Sequence, residues 1–195
     1  MTAGHWESVW VSLRAFVVRV LRTTRRCLAE ENDARTNVGE KQGQPPSAAD
    51  AEHLRYVERV LLETMRLYPP AYVIGREAMR DCKIDGYSIP AGATVFMSPW
   101  VMHRDPRYFE DPQAFRPARW GHDQMKRLPR YAYFPFGGGP RICIGNTFAM
   151  MEGVLLLATI AQNFRFELLS THPVTPDATV TLRPRYGIKM RLSRR

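Results

Sequence analysis

At 195 residues the chain has room for one ordinary domain, and a 45% hydrophobic content is enough to bury a core. Its three cysteines, Cys27, Cys82 and Cys143, lie far apart with no Cys-x-x-Cys pair. This argues against a disulfide framework or structural zinc and fits a reducing cytoplasm. The net charge is +9, with the surplus in residues 51–195, but no recognition-helix pattern or aromatic-basic platform accompanies it, so nucleic acid is not the expected partner.

Residues 1–46 read as a poorly patterned segment and linker. Between Trp10 and Cys27, apolar residues mix with Arg14, Arg19, Arg22, Arg25 and Arg26 and circle the helix instead of lining one face. A weakly packed basic helix is expected, with a membrane-surface helix as the sharper alternative. No run of about 18 apolar residues predicts a transmembrane segment. The N-terminus also lacks the basic, apolar and small-residue order of a signal peptide, so a soluble cytoplasmic chain is expected. Residues 30–50 are polar, with Gly39, Gly43, Pro45 and Pro46, and read as a loop.

Order begins near Ser47. An apolar-periodic helix is predicted from about Ala51 to Leu67, ended by Tyr68-Pro69-Pro70 because proline cannot continue the turn. Glu63 and Arg66, three apart, share a helical face and can pair; alone, such a pair is usually a solvated surface feature. From 72 to 98 the period shortens. Alternating segments at Cys82–Ile84 and Thr94–Met97 surround Asp85-Gly86 and Pro90-Ala91-Gly92, the turn chemistry of a small β region. A Pro-, Arg- and aromatic-rich stretch then runs from His103 to Trp120. His103 has no partner at metal-ligand spacing and reads as structural. Residues 121–135 form an irregular meander carrying Lys126, Arg127 and Arg130.

The most informative stretch is Phe136-Gly137-Gly138-Gly139-Pro140-Arg141-Ile142-Cys143-Ile144-Gly145. Three glycines and a proline make a tight turn that can pass close to a flat group. Cys143 is expected at the mouth of a helix running from Ile144 to Gln162, where backbone N–H groups favour a thiolate. Arg141 supplies a fixed charge for a carboxylate or propionate. Such a thiolate is a suitable axial ligand for haem iron, the bland alternative being a buried free cysteine after a glycine-rich turn. Phe164–Leu168, Ala178–Leu182 and Gly187–Leu192 read as closing strands.

The stretch 136–145 resembles the haem-binding signature of the cytochrome P-450 family, Phe-x-x-Gly-x-Arg-x-Cys-x-Gly, at every specified position, including Gly139 and Gly145. Glu63-x-x-Arg66 before Leu67-Tyr68-Pro69-Pro70 is similar to the family's Glu-x-x-Arg helix, and Phe115 to Trp120 to the segment whose arginine joins that pair. The resemblance implies a mainly α fold with small β-sheets (α+β), the C-terminal part of a P-450, over residues 47–195. It implies haem b held by Cys143, with Phe136 packed near the sulfur and Arg76 and Arg141 at the propionates. Arg119 would complete a triad with Glu63 and Arg66, and Pro70, Ala71 and Ile74 would line the substrate pocket. The implied reaction inserts one oxygen atom of O2 into an apolar small molecule, with electrons from an acidic ferredoxin or a flavoprotein reductase guided by basic residues such as Lys126, Arg127 and Arg130.

The family's distal helix carries (Ala/Gly)-Gly-x-(Asp/Glu)-Thr, whose acid and alcohol help deliver protons to dioxygen. Ala3-Gly4-His5 begins like it, but Trp6 stands at the acid position and Glu7 at the threonine position. The expectation is a fragment of a longer chain, with a reading-frame error somewhere between Trp6 and about Gln42. Haem would then be exposed on its distal side. Two further functional readings follow: a haem-binding or haem-sensing module without turnover, and an inactive remnant that holds no haem.

Overall fold

The computed structural model describes residues 44–121, 124–169 and 174–194. The expected basic helix at Trp10–Cys27, the motif-like residues 3–8 and the region of the expected frame error all lie outside these residues.

The first ordered element is a 3-10 turn, Ala48–His53, begun by a capping box in which Ser47 N donates to Asp50 Oδ2 at 2.7 Å. The helix expected from Ala51 starts instead at Arg55. Leu54, at φ −84° and ψ 44°, breaks the chain between the turn and helix α1, Arg55–Leu67. Tyr68 ends α1, its N–H bonded to Thr64 O at 2.7 Å, as the following prolines require.

The β region consists of antiparallel pairs. Strand β1, Ile74–Glu77, is joined to β4, Thr94–Met97, with Ile74 opposite Met97. Between them β2, Cys82–Ile84, and β3, Tyr87–Ile89, form a hairpin. Its Asp85 and Gly86 both have positive φ, 48° and 84°, the mirror-image turn that an Asp-Gly pair favours. After β4 come a one-turn helix α2, Pro99–Met102, and a long irregular run to the 3-10 turn Pro117–Trp120. The meander expected at 121–135 contains a short helix α3, Gln124–Arg127.

Helix α4, Asn146–Asn163, starts two residues later than expected, after Gly145. It leads into β5, Phe164–Leu168, which pairs with β8, Met190–Arg194. The expected strand at Ala178–Leu182 is instead the turn of a hairpin between β6, Pro176–Ala178, and β7, Leu182–Pro184. The apolar pattern there marks one buried residue, Leu182, and not a continuous strand.

The core lies between α1 and α4. Leu54, Val57, Val60, Leu61 and Met65 pack with Val154, Leu157 and Ala158, and Phe136 rests against this cluster. Gly153 permits the close approach, since a Cβ there would stand 2.9 Å from Leu61 Cδ2. The loop before α4 is therefore held against the same helix that carries Glu63 and Arg66.

Candidate haem-thiolate site

Glu63 and Arg66 have no solvent exposure at all. Arg66 Nε and Nη2 donate to the two Glu63 oxygens, each at 2.9 Å, in a bidentate fork. Its other N–H groups reach the carbonyls of His103 at 2.8 Å, Pro112 at 2.7 Å and Ala114 at 2.9 Å. Arg119 Nε donates to Glu63 Oε1 at 3.0 Å, so the three charged residues meet. Two further donors reach the carboxylate: Arg116 N at 2.8 Å and Trp120 Nε1 at 2.9 Å. A buried carboxylate with five donors and a guanidinium with every N–H bonded are compensated charges, which is what makes their burial tolerable. The Arg116 and Trp120 contacts were not read from sequence; Trp120 follows Arg119 directly, but nothing in its spacing from Glu63 signals a hydrogen bond.

Downstream of this knot, Tyr133 is half-buried, with its hydroxyl donating to Leu62 O at 2.9 Å; desolvation raises its pKa well above the usual range. Its ring stacks on Trp120 and His103, at centroid distances of 4.6 and 4.8 Å. His103, with no exposure, accepts a hydrogen bond from Phe134 N at Nε2, 2.9 Å away. Burial, helped by the charges of Arg66 and Arg104, lowers its pKa from 6.5 to about 3, so the imidazole is neutral.

The cysteine loop is shaped by its glycines. Gly137 and Gly139 have φ of +75° and +66°, and Gly138 is covered by Tyr131, whose Cε1 would lie 2.4 Å from a Cβ. Cys143 N donates to Phe136 O at 2.9 Å, closing the loop. The Cys143 side chain is exposed, and a Cβ on Gly145 would stand 3.9 Å from its sulfur. Cys143 lies outside α4, two residues before Gly145, the cap. Ile142, Ile144 and Phe148 around it are exposed apolar residues.

Of the three residues expected at a substrate pocket, Ile74 meets the loop: its Cδ1 lies 3.6 Å from where a Gly137 Cβ would be. Pro70 is half-buried and its carbonyl accepts from Leu182 N at 3.0 Å. Ala71, also half-buried, precedes Tyr72, whose hydroxyl donates to Thr179 O at 2.8 Å. Arg76 is exposed on β1 and donates to Gly75 O at 2.8 Å. Arg141 is exposed at the end of the 3-10 turn Gly139–Arg141. Neither arginine forms an ion pair with another described residue. No cluster of three or more His, Cys, Asp or Glu suited to a metal ion occurs among the described residues.

These residues fit one face of a haem. They comprise an exposed thiol beside a residue without a side chain, apolar neighbours, and two exposed arginines without an ion pair among the described residues. Among the described residues no helix is long and apolar enough to cross a membrane.

Comparison with known proteins gives the same direction. The family model described as cytochrome P-450 matches residues 23–191. The chain is 43% identical over 143 residues to cytochrome P-450 132 of Mycobacterium tuberculosis, covering 73% of this chain and 31% of that one. It is 37% identical over 156 residues to cytochrome P-450 4V2 of Homo sapiens, covering 80% and 30%. With cyclooctatin synthase of Streptomyces melanosporofaciens it shares 39% identity over 140 residues, 72% and 30%. The chain therefore spans about three tenths of the length of the curated relatives it matches.

Proposed function

Because the chain belongs to the cytochrome P-450 family, we propose that it supplies the thiolate side of a haem monooxygenase. The observation that carries this reading is the Phe136–Gly145 loop. It holds an exposed Cys143 at the end of a glycine turn, closed by the Cys143 N to Phe136 O bond and seated on the α1–α4 core.

In this reading Cys143 would ligate the iron of haem b, Phe136 would pack near its sulfur, and Gly139 and Gly145 would let the backbone approach the ring. Arg76 and Arg141 would take the propionates. When bound, the haem would supply the dioxygen chemistry, with two electrons from a partner and one oxygen atom of O2 going to an apolar substrate. The chain's own residues bind and orient: Cys143 presents the thiolate, and Ile74 with Pro70 and Ala71 edges the space where the substrate lies. The Glu63–Arg66–Arg119 knot keeps the loop and the meander in register. Lys126, Arg127 and Arg130 are exposed beside this loop in sequence, and their charge suits an acidic ferredoxin or a flavoprotein reductase. Domain boundaries follow the same reading, with 47–195 as the haem-thiolate part and 1–46 as a separate segment, in a soluble cytoplasmic protein.

The exposure of Cys143, Ile142, Ile144 and Phe148 supports a second reading for these 195 residues: haem held without turnover. The test is the absorption spectrum of the purified, haem-supplemented chain, reduced and exposed to carbon monoxide. A red-shifted Soret band is expected from thiolate ligation, and its absence would overturn the haem assignment. Pigment with no substrate oxidation, given reductant and O2, would favour the second reading. A colourless, protease-sensitive chain would mark an inactive remnant.

A further inference from the structure

His103 is a buried polar group in a place that an apolar residue would fill at less cost. Its ring lies between Tyr133 and Phe134, 4.8 and 5.3 Å from their centroids, and has no contact with solvent. Since Nε2 accepts the Phe134 N–H, the ring proton sits on Nδ1. Nδ1 completes no hydrogen bond with another described residue. A buried donor left unmade is costly, so the imidazole has to be compensated by the one hydrogen bond it does complete.

That bond occupies a particular place in the chain of contacts. On one side, the His103 carbonyl accepts from Arg66 Nη1 at 2.8 Å, inside the charged knot. On the other, Phe134 O accepts from Gly137 N at 3.0 Å, and Phe136 O accepts from Cys143 N at 2.9 Å. The route runs Arg66, His103, Phe134, Gly137, and on through the loop to Cys143. Tyr133, through Leu62 O, supplies a side-chain tether to α1, whereas His103 grips the main chain two residues before Phe136.

We propose that His103 is a positioning residue for the cysteine loop: by accepting the Phe134 N–H it fixes the Phe134–Cys143 segment to the buried Glu63–Arg66–Arg119 knot. The inference rests on the reading of Cys143 as the haem ligand for its consequence, but not for its geometry. Loosening this bond lets the loop move and displaces the backbone N–H dipoles that favour a thiolate, so the neutral thiol gains over the thiolate.

Two substitutions separate the hydrogen bond from the space the ring fills. His103→Gln can place its amide oxygen where Nε2 lies, whereas His103→Asn places it near Nδ1 and leaves Phe134 N–H unpaired. The primary measurement is residue-resolved amide hydrogen exchange on the full haem-free chain. His103→Asn is expected to exchange about tenfold faster at Phe134, Gly137 and Cys143, with Tyr68 at the end of α1 unchanged. His103→Gln is expected to stay within about twofold of the parent at all four. In the haem-loaded chain, His103→Asn is expected to raise the share of the thiol-ligated carbon monoxide band severalfold, and His103→Gln to restore the parent ratio. Unchanged exchange in His103→Asn would overturn the proposal. So would loss of protection spread equally to Tyr68, or a Gln variant no better than Asn, since each marks His103 as mere packing. If the parent chain takes up no haem, the function proposed above fails, and the exchange measurement still decides the role of His103.

Discussion

Trp120 Nε1 donates to Glu63 Oε2 at 2.9 Å across fifty-seven residues of sequence. With Arg66 and Arg119 it makes Glu63, itself without solvent exposure, the centre of a charged knot. Glu63→Gln keeps the shape but removes the charge facing two guanidinium groups, one fully buried. The expected cost is about 3–5 kcal/mol, enough to unfold a marginal chain. Trp120→Phe keeps the charges paired and removes one charge-assisted bond, for about 1.5–3 kcal/mol. Urea denaturation should rank the two in that order; equal losses would mean that the knot acts through packing alone.

The loop glycines should fail for different reasons. Gly138 has an extended backbone, with φ −166°, that any residue adopts, but its missing Cβ is where the Tyr131 ring lies. Gly138→Ala should push that ring aside at a cost of about 1–2 kcal/mol, and Tyr131→Ala should relieve most of it, a clear departure from additivity. Gly139 has open space around it but a φ of +66°. Gly139→Ala should cost about 1 kcal/mol through backbone strain, and no change at Tyr131 should rescue it. A double-mutant cycle on thermal stability checks both.

Much of this site is legible in the sequence because local chemistry dictates it. Asp85-Gly86 specifies a hairpin turn by the φ values it tolerates, Tyr68-Pro69-Pro70 ends α1, and the spacing within 136–145 fixes which residues share one loop. What sequence periodicity leaves open is burial. Glu63 and Arg66 at i and i+3 describe a solvated surface pair equally well; only the carbonyls of His103, Pro112 and Ala114, brought in from a distant irregular segment, make their burial possible. The hydrogen bonds of Trp120 and His103 are tertiary in the same sense. Leu54 and the Ala178–Leu182 turn show the opposite error, where an apolar pattern continues through a break in regular structure.

Cys143 is exposed and its side chain completes no contact that the core depends on, since both its hydrogen bonds, to Phe136 O and from Asn146 N, are made by the backbone. Cys143→Ser should therefore change stability by less than about 0.5 kcal/mol. If Cys143 ligates haem, the same substitution should abolish the red-shifted band of the reduced carbon monoxide complex. Cys82→Ser, at the other exposed described cysteine, should leave that band unchanged. A band that survives Cys143→Ser would rule out Cys143 as the ligand.

His103 also predicts a pH dependence whose sign follows from its environment. Burial lowers its pKa from 6.5 to about 3, so in the folded chain the ring stays neutral while in the unfolded chain it takes up a proton near pH 6.5. Between these values the unfolded state binds more protons, and stability must fall as the pH falls. The slope contributed by this one group is at most about 1.4 kcal/mol per pH unit below 6.5, and it vanishes above. Carboxylates such as Asp105, whose pKa is lowered by Arg107, add their own loss at lower pH in parent and variant alike. The difference between the parent and His103→Gln isolates the imidazole. Urea denaturation from about pH 7 to pH 5 should show the parent losing stability relative to His103→Gln as the pH drops. Parallel curves over that window would mean that the folded chain takes up the proton as readily as the unfolded one, and that His103 is not held neutral against Phe134 N–H.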